Sequence, residues 1–128
     1  MDEEVREIQR RRRLVVNHFV IHGHATAAAG SAAALAQVPG GDEAALTVIT
    51  TSMTGSLCAN YKVLSAALVV AYMGIISGGL LGKMAASYLY RWIPVAGNLI
   101  NAGVTFALHE GQGWLIAALL EKEIHTCF

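Results

Sequence analysis

Charge is scarce through most of this chain. Lys and Arg number 9 and Asp and Glu 9, so the formal net charge is zero and charged residues are 14% of 128, against a usual share of ~25%. Nine of these charges crowd into the first thirteen residues: Asp2, Glu3, Glu4, Arg6, Glu7 and Arg10 to Arg13. From Leu14 to Leu120 only Asp42, Glu43, Lys62, Lys83, Arg91 and Glu110 remain. A small monomer in water normally needs more polar surface than that. The scarcity argues against a basic nucleic-acid binder, against disorder and against an ordinary soluble monomeric enzyme. In place of charge the chain is 55% hydrophobic with a mean hydropathy of +0.49. That points to a membrane or to a large subunit interface.

Proline and cysteine are equally sparse. The two prolines sit in turn-like clusters, Val38-Pro39-Gly40-Gly41-Asp42 and Ile93-Pro94-Val95-Ala96-Gly97-Asn98, and divide the chain there. The two cysteines, Cys58 and Cys127, lack metal spacing and lie in unlike contexts, so free thiols are expected rather than a disulfide. No signal peptide is visible. Strand-like alternation is almost absent, while Ala and Leu are abundant. The expected fold is all-α, about four helices in one domain over residues 1–128. A charged helical segment, 1–13, precedes an apolar helical bundle, 14–125.

The first predicted helix runs from about Asp2 to Gln37, with Asp2, Glu3 and Glu4 at its positive dipole end and Gly23 and Gly30 as candidate break points. The second starts with Asp42 as N-cap, its side chain accepting from free first-turn amides, and ends near Tyr61. Leu46, Ile49, Met53 and Leu57 form its apolar stripe, with Thr47, Thr50, Thr51 and Thr54 largely on other faces. The third starts near Val63. Val63 to Gly82 is twenty residues without a charge, bracketed by Lys62 and Lys83, long enough to cross ~30 Å of hydrocarbon. Tyr61 at one end and Tyr88, Tyr90 and Trp92 near the other resemble interfacial anchors. The fourth begins near Asn98, loosens at Gly111 and Gly113, and ends about His125. The third and fourth are thus expected to be two long apolar helices.

Four-residue spacing places Gly74, Gly78 and Gly82 on one helix face, where a second helix can approach to backbone contact. Gly103, Ala107 and Gly111 make a similar stripe. The two stripes are expected to face each other or copies in other subunits. Arg10, Arg11, Arg12 and Arg13 directly precede the apolar Leu14-Val15-Val16. One reading is attraction to the anionic cytoplasmic leaflet, in keeping with positive-inside orientation. The other is a solvated face partly neutralised by Glu7. Nucleic acid is disfavoured because no aromatics are interleaved. His18 and His22, at i and i+4, could reach one ion from one face, but the nearest carboxylate, Glu110, could join them only through folding. Packed or solvated histidines are the plainer reading. Glu110 itself is one carboxylate in an apolar segment: one reading is a buried functional group, and the plainer one is a water-exposed, Gly-rich break. There is no P-loop, no Gly-x-Ser-x-Gly and no HEXXH, so no catalytic residue, cofactor or metal ligand is assigned.

Two blocks carry a family resemblance. The first is Ala32-Ala33-Ala34-Leu35-Ala36-Gln37-Val38-Pro39-Gly40-Gly41-Asp42, followed by Ala44-Ala45-Leu46-Thr47 and Met53. The second is Ile93-Pro94-Val95-Ala96-Gly97-Asn98, continuing to Ile100-Asn101-Ala102-Gly103. In this order they resemble the two signatures of domain-of-unknown-function family 697, over about residues 17 to 120. Members are bacterial helical domains, often attached behind an Era-like small GTPase domain and in some cases membrane-associated. The resemblance implies an accessory module that docks on membranes or partners, including a small GTPase. It departs from the family in having no nucleotide motif. It also implies turn-shaping roles for Pro39, Gly41 and Asp42, with Gly40 between them, and for Pro94, Gly97 and Asn98.

Together these features lead to the expectation of a non-enzymatic, membrane-associated helical module that self-assembles or docks a GTPase. It would sit at the bacterial inner membrane with its N-terminus on the cytoplasmic side. One alternative is a soluble, cytoplasmic homo-oligomeric scaffold that buries its apolar helices between subunits. Another is a pore-forming or toxin-like helical hairpin.

Overall fold

A computed structural model describes residues 2–35, 41–62, 72, 74–75, 77–79, 81–83 and 96–126 of the chain. Three long helices organise them: α1 (Glu3–Leu35), α2 (Gly41–Tyr61) and α3 (Ala96–Thr126). The described positions from 72 to 83 are also helical, and no strand occurs among the described residues. The fold is all-α. α2 ends at Tyr61, as the sequence suggests. Just beyond it Lys62 takes the left-handed conformation, φ 55°, and its N–H donates to the Ala59 carbonyl at 3.2 Å, a helix-closing turn.

α1 is the central element, packed against both α2 and α3. Asn17 meets Tyr61 while His24 meets Ser52, so α1 and α2 run in opposite directions. Arg13 meets Glu121 and Asn101 meets Ala32, so α1 and α3 do too. The buried positions of α1 are Asn17, Ile21, Ala25, Ala28 and Ala32, one face at helical spacing. Its alanines keep that face narrow where α3 lies alongside.

The core joins Ile21 of α1, Met53, Leu57, Cys58 and Tyr61 of α2, Tyr72, and Ile116, Ala117 and Leu120 of α3. Burial pushes the Cys58 thiol up. It also raises the Tyr72 phenol to about 12, with help from Cys58 and Glu123. Towards the other end of the bundle the buried residues turn polar: Thr50, Lys83, Asn101, Thr105 and His109.

Several expectations change. α1 is continuous through Gly23 and Gly30, and α3 through Gly111 and Gly113, because helices anchored by packing tolerate an isolated glycine. In α3 the anchor is close: a Cβ on Gly113 would lie 2.7 Å from both Ile21 Cγ1 and Cγ2. Thr50 and Lys83, assigned to a polar face and a charged bracket, are buried. The expectation of two long apolar helices finds no support. The Val63–Gly82 run falls largely outside the described residues. α3 gives three of its seven buried positions to the polar Asn101, Thr105 and His109. Among the described residues no helix is long and apolar enough to cross a membrane.

Candidate functional site

α3 presents a face whose exposed residues carry no charge, with the partly exposed Glu110 set among them and bonded to Trp114. From Leu99 to Ala118 its exposed residues are Leu99, Ile100, Gly103, Ala107, Gly111, Trp114, Leu115 and Ala118, and Lys122 is the first exposed charge beyond them. Leu99 is 72% exposed. The face follows from the helical period: polar Asn101, Thr105 and His109 occupy the opposite, buried side. Gly103, Ala107 and Gly111 are its middle, as the sequence singled out. Leu99, Ile100, Trp114, Leu115 and Ala118 extend it. The signal for them was the same three- and four-residue spacing continued past the small residues.

Gly74, Gly78 and Gly82 are exposed as well. No described atom lies within 4 Å of where a Cβ would stand on any of them, or on Gly103 or Gly111. The two stripes therefore do not face each other within the chain, and both remain available on its surface. The closely approached glycines are different ones: Gly113 against Ile21, and Gly79 against the Gln112 side chain.

The four arginines divide. Arg10 and Arg11 pair with Glu7 at 3.8 and 3.0 Å, which is the solvated arrangement with i−3 and i−4 neutralisation. Arg13 turns inward to Glu121 at 2.9 Å, and its guanidinium lies 5.6 Å from the centre of the Tyr61 ring. Around it Asn60 donates to the Arg13 carbonyl and to Asn17 Oδ1, and Asn17 donates to the Tyr61 oxygen at 2.7 Å. Burial raises the Tyr61 phenol. Only Arg12 of the four makes no such contact with a described residue.

Folding does bring Glu110 to His22. The His22 Nδ1–H donates to Glu110 Oε1 at 2.8 Å, and Trp114 Nε1–H donates to Oε2 at 3.1 Å. The His18 ring stacks on His22, centroids 5.6 Å apart, and Phe106 meets His22 edge-on. Glu110 thus lies in a continuous helix rather than in a break. Among the described residues no three His, Cys, Asp or Glu side chains are placed to hold a metal ion.

A second histidine, His109, is buried. Its Nδ1–H donates to the Thr105 carbonyl at 2.9 Å, which leaves the lone pair on Nε2. The Thr50 hydroxyl stands 2.9 Å from that nitrogen and 2.7 Å from the Leu46 carbonyl. Desolvation, with the nearby Lys83 and His24 charges, holds this imidazole below its ordinary range.

The turn residues are less fully described. Pro39, Gly40 and Pro94 lie outside the described residues. α2 begins at Gly41 and α3 at Ala96, so Asp42, Gly97 and Asn98 fall in first turns. Their side chains are outside the described set.

No protein family, no curated protein and no solved structure matches this chain. The resemblance to family 697 therefore stands on its motif residues alone.

Proposed function

We propose that this chain is a non-enzymatic helical module that works by assembly, using the exposed apolar residues of α3 as its contact surface with a second copy. The observation that carries this reading is that every exposed residue from Leu99 to Ala118 is apolar or glycine. Monomers rarely leave so continuous an apolar surface uncovered. The small residues at its centre suit close helix approach, and the exposed Gly74, Gly78 and Gly82 offer a second surface of the same kind. The resemblance adds a small GTPase as a partner for the same surfaces.

Sedimentation across a concentration series tests this. The wild type should exceed the mass of one 13.5 kDa chain. Ala107→Glu should shift the population towards monomer without lowering the melting temperature, because Ala107 is exposed. A wild type that stays monomeric at every concentration refutes self-assembly.

A membrane-surface reading rests on a separate observation. Leu14, Val15 and Phe19 are exposed beside Arg10, Arg11 and Arg12, the composition of a helix lying in the headgroup region. Flotation with anionic vesicles, lost on neutral vesicles and weakened by salt, supports it. Equal flotation on both lipids refutes it.

A further inference from the structure

Folding places two exposed histidines of α1 beside one carboxylate of α3. His18 and His22 stand four residues apart, so their side chains leave the same face of the helix one above the other. Their rings are nearly parallel, 14° apart in plane, with centres 5.6 Å apart. Two imidazoles sharing one ion through ~2.1 Å bonds stand roughly 5 Å apart, centre to centre. The observed spacing is a small side-chain rotation away from that.

The tautomer of His22 suits a ligand. Its Nδ1–H donates to Glu110 Oε1 at 2.8 Å, which leaves the lone pair on Nε2. Glu110 is oriented in turn, because Trp114 Nε1–H donates to its other oxygen at 3.1 Å. The carboxylate is the inner partner, 22% exposed, and the His22 side chain the outer one, 55% exposed. A carboxylate on the far nitrogen is the arrangement that stands behind metal-bound histidines, where it holds the ring and raises its basicity. Both Glu110 oxygens are engaged this way, so it supports the ion from one bond away and is not a third ligand. Its negative charge also offsets that of a cation. His18 makes ring contacts with Phe19, His22 and Trp114 and no hydrogen bond to a described residue, so its ring can turn a nitrogen towards the ion at little cost.

We propose that His18 and His22 bind one divalent transition-metal ion of the imidazole-preferring class, Cu(II), Ni(II) or Zn(II), through one ring nitrogen each. Glu110 is the positioning residue behind His22, and water completes the coordination. Neutral imidazole suits these ions, whereas Mg(II) prefers an all-oxygen shell. Two ligands at the surface make a site of moderate strength, below that of a four-ligand structural site. All three residues belong to one chain, so the site does not depend on assembly.

The probe is nickel chloride alone, titrated calorimetrically into the full chain, with magnesium chloride as the control. One Ni(II) per chain is expected, with a dissociation constant of about 1–100 μM, and no binding of Mg(II). His18→Gln should weaken Ni(II) at least about tenfold, as should His22→Gln. His18 is exposed and has no hydrogen bond to a described residue to lose, so His18→Gln carries the test if His22→Gln does not fold. Glu110→Gln should weaken the ion by about 10–100-fold, an effect that an interhelical contact alone would not have. Saturating Ni(II) should raise the melting temperature of the wild type and leave that of His18→Gln unmoved. Paramagnetic broadening of amide signals should centre on residues 18, 22, 110 and 114. Absence of saturable binding below about 1 mM overturns the proposal. So does Ni(II) affinity that survives His18→Gln, or broadening centred on His24 or His109. Unchanged affinity in Glu110→Gln overturns the part given to Glu110.

Discussion

Arg13 and Glu121 stand 108 positions apart in sequence and meet at 2.9 Å, each side chain 19% exposed. This contact ties the first third of α1 to the last turns of α3. It also pulls one arginine out of a run of four that looks uniform in sequence. The neighbouring Arg11 bonds Glu7 one turn away at 77% exposure.

The two arginines should therefore respond differently to the same change. Arg13→Gln removes this charge-assisted pair and the cation over the Tyr61 ring, and stability should fall by about 1–3 kcal/mol. Arg11→Gln should cost less than about 0.5 kcal/mol, as for exposed helical pairs. Urea unfolding of both variants measures this, and equal losses would contradict the division of the four.

Glycines in α2 and α3 should behave oppositely. Gly55 is exposed with open space around its Cβ position. Gly55→Ala should stabilise by about 0.5–1 kcal/mol through helix propensity and lost unfolded-state freedom. Gly113→Ala forces a methyl onto Ile21 and should destabilise by about 1–3 kcal/mol. Thermal melts of the pair decide it. A stabilised Gly113→Ala would mean that α1 and α3 do not pack as described.

Lys62 closes α2 in a conformation that costs a side-chain-bearing residue about 1–2 kcal/mol. Lys62→Gly removes that cost and should raise the melting temperature by a few degrees. A lower melting temperature would show that the lysine side chain contributes more than its backbone costs.

His109 sets a pH dependence. Burial keeps it neutral in the folded chain below its usual range, whereas the unfolded chain takes up the proton near pH ~6.5. Below that pH the unfolded state binds more protons, so stability falls as pH falls and recovers as it rises. His109→Gln should flatten the melting temperature between pH 5 and pH 7 relative to wild type. The same slope in both proteins would place the titration elsewhere.

The helical class and the end of α2 at Tyr61 were readable from the sequence, and α3, placed near Asn98, starts at Ala96. Also readable was the apolar stripe of Leu46, Ile49, Met53 and Leu57, of which all but the half-buried Ile49 are buried. Each depends on interactions within a turn or two, and local periodicity reports those directly. Gly103, Ala107 and Gly111 could likewise be placed on one face. Whether that face pointed inward could not be read, because an apolar stripe looks the same against a core or against solvent.

Only the tertiary structure decided how each helix is rotated about its axis. One residue of rotation turns a side chain by about 100°, enough to bury Thr50 and Lys83 or to expose Gly78. It also decided the partners: Glu121 for Arg13, Glu110 for His22 and Ile21 for Gly113. These lie on different helices, brought together because α2 and α3 both run antiparallel to α1. No pattern along a single helix encodes that order; it comes from the packing of all three.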